Sequence, residues 1–195
     1  MLTGIILAGG KSSRFNGELK SFIKINGVAI IDTQMKLFKN LFDEVIIVTS
    51  DSVPYLKYNA IIVNDIIKNK GPLGGIYTAL YYMKSDSCFV AACDMPFLNE
   101  NLIRYMMENV GRDWIYTIKR DDRFEPLHTI YNKRCIKTVK EMLLSDNLKV
   151  SPLFSELKAK VAPIEEVRRI DPDLKSLKNI NTKEDLEALR FSLCT

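Results

Sequence analysis

The segment Phe89-Val90-Ala91-Ala92-Cys93 is apolar at every position. A strand with one solvated face would alternate apolar and polar residues, whereas a strand without alternation is buried on both faces. This one therefore belongs inside a largely parallel sheet covered by helices on either side. Ile5-Ile6-Leu7-Ala8 and Val45-Ile46-Ile47-Val48-Thr49 have the same character, and Ile61-Ile62-Val63 reads as a shorter companion. Between them run segments with helical spacing of apolar residues, over 29–42, from Gly71 to about Lys84, and from Asn99-Glu100 to about Val110. Pro72 in the first turn of the second helix fits the usual start rule, and Asn99 is placed to cap the third. Trp114–Ile118 and Leu127–Tyr131 are predicted strands, the latter antiparallel because the loop between them is short. Helices near 133–145 and 151–158, a strand at 161–164 and a capped helix start at Asn181–Leu186 complete the pattern. The expectation is a three-layer α/β/α architecture, a mainly parallel sheet with an antiparallel strand, formed by one domain over residues 1–195.

A chain of 195 residues can bury a sufficient core without metals or cross-links, and 47% apolar with 27% charged residues is ordinary for a soluble protein. Cys88, Cys93, Cys135 and Cys194 lack the two-residue spacing of a zinc or redox pair and read as reduced thiols. No basic, apolar and small-residue leader precedes the first strand, and no apolar run approaches the ~20 residues of a membrane span. These features predict a cytoplasmic protein with neither membrane nor nucleic-acid partners. The net charge of +4 is too mild and too dispersed for a nucleic-acid groove. Lys133, Arg134, Lys137 and Lys140 read as one solvated helix face.

Chemistry is concentrated where the strands end. After the first strand comes Gly9-Gly10-Lys11-Ser12-Ser13-Arg14, with Lys20 and Lys24 beyond and Glu18 as the local acidic residue. Glycines let backbone N–H groups approach an anion, and cations neutralise it. The spacing fits neither the P-loop nor the dinucleotide fingerprint. On these residues alone it is a polyanion cradle, or else a tight turn with a solvated basic face. Asn64-Asp65 follow the third strand and Asp94 follows the fourth. Ligands of such sheets bind outside the carboxyl ends of parallel strands, so the fold is expected to bring these residues to one rim as a nucleotide site.

Asp94 follows a wholly apolar strand and precedes Met95-Pro96. Magnesium takes one or two carboxylates and completes its shell with water and substrate phosphates, which one aspartate opposite a phosphate cradle can satisfy. The bland alternative is a turn carboxylate. Arg14 offers a two-pronged phosphate contact and Lys20 a point charge. Gly71-Pro72-Leu73-Gly74-Gly75 is a glycine-rich helix opening able to meet a nucleotide, or a simple helix start. His128, the chain's one histidine, reads as a hydrogen-bonded structural residue of a strand rather than a catalyst. No nucleophile and base stand in a pairing that suggests covalent catalysis.

Leu7-Ala8-Gly9-Gly10-Lys11-x-x-Arg14 with Lys20, Asn26-Gly27, Gly71-Pro72-Leu73-Gly74-Gly75-Ile76, Cys93-Asp94-Met95-Pro96-Phe97-Leu98 and Asn179-Ile180-Asn181-Thr182 resemble, in order and spacing, the molybdenum cofactor guanylyltransferases. Leu-Ala-Gly-Gly is shared across a nucleotidyltransferase superfamily with a Rossmann-like, GT-A-like fold, while the later segments are more specific to the molybdopterin branch. The resemblance implies transfer of GMP from GTP to molybdopterin cofactor, with Mg2+ and release of pyrophosphate. It implies Leu7, Ala8, Gly9 and Gly10 with Asp65, Gly71 and Gly74 around the nucleotide, Lys20 on the phosphates, Asp94 on magnesium, and Lys20, Arg14 and Asp94 as the catalytic set. A molybdoenzyme or another cofactor-maturation protein is the kind of protein partner it allows. The chain departs from the family pattern at Asn16, at Leu19 before the lysine, and at Thr49-Ser50. The alternatives are a sibling nucleotidyltransferase using CTP or a sugar or polyol phosphate, and a non-catalytic nucleotide-binding homologue.

Overall fold

The apolar segments near residues 3–8, 45–49, 61–63 and 89–93 are strands of one sheet. The computed structural model describes residues 2–9, 14–15, 18–182 and 184–185. The sheet strands are β1 (Leu2–Leu7), β2 (Glu44–Val48), β3 (Ile61–Val63), β4 (Ser87–Ala92), β5 (Ile115–Thr117), β6 (His128–Asn132) and β7 (Lys160–Val161). They lie in the order β7-β5-β6-β4-β1-β2-β3. β1 pairs in parallel with both β2 and β4, β2 with β3, and β5 with β7, while β6 runs antiparallel to β4 and β5. β1 and β4 occupy the interior, as their uninterrupted apolar sequences require, and Ile5, Ile6, Phe89, Val90 and Ala91 are fully buried.

The helices are α1 (Ile30–Leu41), α2 (Gly71–Tyr82), α3 (Glu100–Asn109), α4 (Ile136–Leu144), α5 (Ser151–Glu156) and α6 (Ile164–Ile170). One core joins Ile6, Ile47 and Phe89 of the sheet to Phe38 of α1 and Leu102 of α3; the other joins Ile5, Val48 and Val90 to Leu73 of α2 and Val139 of α4. These two cores on opposite faces make the three layers. Gly4 permits the close seating of α1 on β1, since a Cβ there would stand 2.4 Å from the Phe42 ring and 2.6 Å from that of Phe38. Asn99 caps α3 by accepting from Leu102 N at 3.2 Å. Past the sheet, Asp185 Oδ2 accepts from the backbone N–H groups of Asn181 and Thr182, both at 2.8 Å, and Asp185 N donates back to Thr182 Oγ1 at 3.1 Å. That reciprocal pattern is the capped helix start expected at the tail.

The structure differs from expectation in two segments. The strand predicted over 161–164 is confined to Lys160–Val161, because Pro163 redirects the chain and Ile164 opens α6, with Glu165 and Glu166 in its first turn and Arg168 and Arg169 in its last. The loop before β6 holds a small hairpin, Lys119–Arg120 against Arg123–Phe124, whose turn residues Asp121 and Asp122 have φ of 48° and 61°. Two successive positive φ values give the turn that matches strand twist, and aspartate tolerates them better than most residues. Cys88, Cys93 and Cys135 are free and buried, as expected of reduced thiols; Cys194 lies outside the described residues. No helix among the described residues is long and apolar enough to cross a membrane.

Candidate active site

From β1 the chain crosses to β2 on one side, and later places β4 on the other. The crevice beyond the carboxyl ends of β1 and β4 is thus the point where strand order reverses, the usual binding position in such sheets. Backbone bonds hold the strand ends in line there: Ala8 N donates to Val48 O at 2.8 Å, Cys93 N to Leu7 O at 3.0 Å, and Thr49 N to Val63 O at 3.0 Å.

On the β2–β3 side, Gly9 faces Asp65. A Cβ at Gly9 would lie 3.3 Å from Asp65 Oδ2 and 3.4 Å from Ser50 N, so glycine preserves a narrow slot between the end of β1 and the end of β3. Burial raises the Asp65 carboxyl above its ordinary range. Leu7 also borders α2, because a Cβ at Gly75 would meet its side chain at 3.1 Å. Thr78 ties the start of α2 to the loop after β3, accepting from Ile66 N at 3.0 Å and donating to Gly74 O at 2.9 Å. Gly74 is buried beneath Lys70 and Ile67, while Gly71 is exposed at the helix start with φ of 59°. Leu7, Ala8, Gly9, Asp65 and Gly74 therefore form a connected group, with Gly71 at its edge. Gly10 lies outside the described residues, and of Arg14 only the backbone is described, paired with Leu19 in a short ladder.

On the β4 side, Lys20 and Asp94 meet. Lys20 opens a single 3-10 turn, Lys20–Phe22, and is only 5% exposed despite its charge. Its Nζ donates to Asp94 Oδ2 at 3.2 Å and to Asn181 Oδ1 at 2.9 Å. The acidic partner of Lys20 thus comes from the end of β4, 74 residues away. An ammonium has three donors, and two are committed within the described residues. The 3-10 turn is also fastened from beside β2, where Ser21 Oγ and Tyr55 Oη are 2.6 Å apart in a fully buried contact. Burial pushes the Tyr55 phenol up to about 12 and the Cys93 thiol, next to Asp94, also up to about 12, so both stay protonated at neutral pH. Neither is a nucleophile.

Asp94 Oδ1 is buried with no hydrogen-bond partner among the described residues. A buried carboxylate oxygen in that state calls for a cation or donor from beyond the described residues. No group of three or more His, Cys, Asp or Glu is placed to hold a metal ion among the described residues.

Asn181 is a site residue that local reading did not single out beyond its place in a motif. Its signal is the 161-residue separation bridged by the Lys20 bond, with Ile180 N donating to Asp94 O at 2.9 Å beside it. His128 is fully buried in β6 opposite Ala91, with its ring edge-on to Phe89 at 5.0 Å. The prediction of hydrogen-bonded structure is corrected: neither ring nitrogen has a partner among the described residues. Burial lowers its pKa to about 4, which leaves the imidazole neutral at neutral pH.

Residues 4–160 match the family described as MobA-like NTP transferase domain. The chain is 34% identical over 95% of its length to a molybdenum cofactor guanylyltransferase of Desulfosudis oleivorans, covering 93% of that protein. It is 35% identical over 94% of its length to a probable molybdenum cofactor guanylyltransferase of Clostridium perfringens, again covering 93% of the relative. Its fold superimposes with a TM-score of 0.83 on the crystal structure of molybdopterin-guanine dinucleotide biosynthesis protein A from Archaeoglobus fulgidus, at 26% identity, covering 99% of this chain and 98% of that one.

Proposed function

The chain belongs to the MobA-like NTP transferase family, and from that premise we infer that it transfers the guanylyl group of GTP to molybdopterin cofactor, forming the guanine dinucleotide and releasing pyrophosphate. The observation that carries this reading is the Lys20–Asp94–Asn181 cluster at the β1–β4 crevice, with one buried Asp94 oxygen that has no partner among the described residues. Storage of a bound nucleotide needs no such arrangement; phosphoryl chemistry does.

In this proposal Leu7, Ala8, Gly9 and Gly10 with Asp65, Gly71 and Gly74 receive the nucleoside side, Gly9 by leaving room beside Asp65. Lys20 turns its uncommitted N–H toward the phosphates and stabilises charge as pyrophosphate departs. Arg14, from the loop after β1, supplies a forked contact to the same phosphates. Asp94 holds a divalent metal, for which we propose Mg2+, and such an ion when bound neutralises phosphate charge and orients the leaving group. The acceptor is a phosphate monoester with a second pKa near ~6, already ionised at neutral pH, so the chain need not furnish a general base. Among the described residues His128 is buried and neutral, and Cys93 and Tyr55 are protonated, so none of these three is needed as a base. The chain's task is alignment of an existing nucleophile with the α-phosphorus. One domain in the cytoplasm, serving a molybdoenzyme or another maturation protein, completes the proposal.

Pyrophosphate release from each NTP, with magnesium and with or without the pterin, tests it. GTP selectivity, dependence on the pterin and near-complete loss in Asp94→Ala are expected. Equal turnover with CTP, or full activity in Asp94→Ala, would overturn it.

A further inference from the structure

We infer that Gln34, in the middle of α1, is a positioning residue that fixes the turn bearing Asp94 in register with Lys20. The inference rests on the proposed role of Asp94 in holding a divalent cation.

Gln34 is 1% exposed and lies on the inward face of α1 with Ile30, Ile31, Met35 and Phe38. An amide on an otherwise apolar face is unfavourable unless its groups are bonded. Both hydrogens of Nε2 are used: it donates to Ala92 O at 2.8 Å and to Met95 O at 2.9 Å. Those carbonyls bracket Asp94, one at the end of β4 and the other just past the carboxylate. Within the turn itself, the bond from Met95 N to Ala92 O is longer, at 3.3 Å. Gln34 is thus a cross-brace between the two ends of a weakly closed turn. Its own Oε1 is buried with no partner among the described residues. The opposite amide orientation would set that oxygen against two carbonyl oxygens, so the two acceptors dictate the observed one. The position gives up an acceptor's satisfaction in order to hold the turn.

The same helix holds the other half of the cluster. Ile30 N, one turn before Gln34, donates to Ile23 O at 3.0 Å, at the end of the Lys20–Phe22 turn. Residues four apart share a helix face. One rigid helix therefore anchors the backbone behind Lys20 and the backbone around Asp94, whose side chains meet at 3.2 Å. Gln34 thereby keeps Asp94 where Oδ2 engages the lysine while Oδ1 is left for a cation.

The test uses the full chain and α,β-methylene-GTP, whose α–β linkage resists cleavage. Calorimetry gives its affinity with Mn2+ and with EDTA, and the ratio is the metal-linked gain. Gln34→Met keeps length and apolar shape without donors, and Ile31→Val controls for a small packing defect in the same helix. Gln34→Met is expected to cut the metal-linked gain by about tenfold, the range seen when a support of a metal ligand is removed. The metal-free affinity should stay within about twofold, with Ile31→Val unchanged in both respects. If Gln34→Met does not fold, Gln34→Glu carries the same test. A wild-type gain in the folded Gln34 variant, with the gain abolished in Asp94→Asn, overturns the role of Gln34 alone. An undiminished gain in Asp94→Asn removes the cation reading beneath it, and the inference with it.

Discussion

Lys20 and His128 are both buried nitrogen bases, Lys20 in the crevice beyond β1 and β4 and His128 within the sheet at the start of β6, yet their surroundings are opposite. Lys20 sits in the crevice between β1 and β4, where two acceptors from distant segments converge on Nζ. His128 begins the reversed strand β6, where its ring is packed against Phe89 and its nitrogens meet no partner among the described residues. Burial alone disfavours any charged form. What differs is the supply of acceptors, and that supply follows topology. The parallel half of the sheet ends in Gly9, Thr49, Asp65 and Asp94, whereas on the other half Ile118 and Ala162, just past β5 and β7, are buried apolar residues. The crevice gives Lys20 Nζ two acceptors, whereas the start of β6 gives the His128 ring none among the described residues.

The largest expected effect comes from removing the Lys20 ammonium. Lys20→Met retains most of the stem and deletes the ammonium. Pyrophosphate release should fall by about 10²–10³-fold, the usual loss for a group that stabilises transition-state charge. Retention of more than a tenth of wild-type turnover would show that burying Lys20 serves packing, and the contrast with His128 would lose its functional meaning.

A smaller effect is expected at Asn181. In Asn181→Leu the lysine loses one acceptor and keeps Asp94, so it competes more strongly with a cation for that carboxylate. Turnover should drop by roughly 10–100-fold and the magnesium concentration for half-maximal rate should rise, as for other supports of a metal ligand. Asn181→Asp, which preserves an acceptor, should recover part of the rate. An unchanged magnesium requirement in Asn181→Leu would assign the residue to tail docking alone.

These two residues also mark how far the sequence could be read. Asp65 and Asp94 were legible because each lies two residues past an apolar strand, and parallel topology sends such positions to one rim. Helices α1 to α5 and the antiparallel β6 were legible from spacing and loop length. Asn181 and Gln34 were not, because their roles depend on contacts 161 residues away, and 58 and 61 residues away, respectively. Periodicity marks Gln34 as an inward position on α1 and stops there; which carbonyls it faces is a property of packing. The helix at Ile164–Ile170 is a different kind of miss. Its charges were arranged for a helix, but Val161 to Ile164 is an apolar-rich run that also suits a strand, and Pro163 within it was the discriminating residue.

The least effect on catalysis and the clearest effect on pH dependence are expected at His128. Its pKa is lowered from 6.5 to about 4 in the folded chain, with desolvation as the largest cause. Above pH 6.5 the ring is neutral in both folded and unfolded chains and makes no pH-dependent contribution. Between 6.5 and about 4 the unfolded chain takes up a proton that the folded chain refuses, so stability falls as pH falls; below about 4 the loss levels off. The full loss amounts to about 3 kcal/mol, at 1.36 kcal/mol for each unit of pKa difference. His128→Leu removes this titration and the two buried nitrogens while keeping an apolar contact with Phe89. Urea unfolding should therefore show the variant gaining on the wild type as pH is lowered from 7.5 to 4.5, over a carboxylate background common to both. Turnover at pH 7.5 should remain within about twofold, since a neutral ring fully buried in the sheet offers nothing to substrate. Parallel stability profiles for the two proteins would mean that His128 finds a partner for its proton in the folded state. In that case the difference between the two surroundings would be one of degree, with the reversed strand also able to hold a charge.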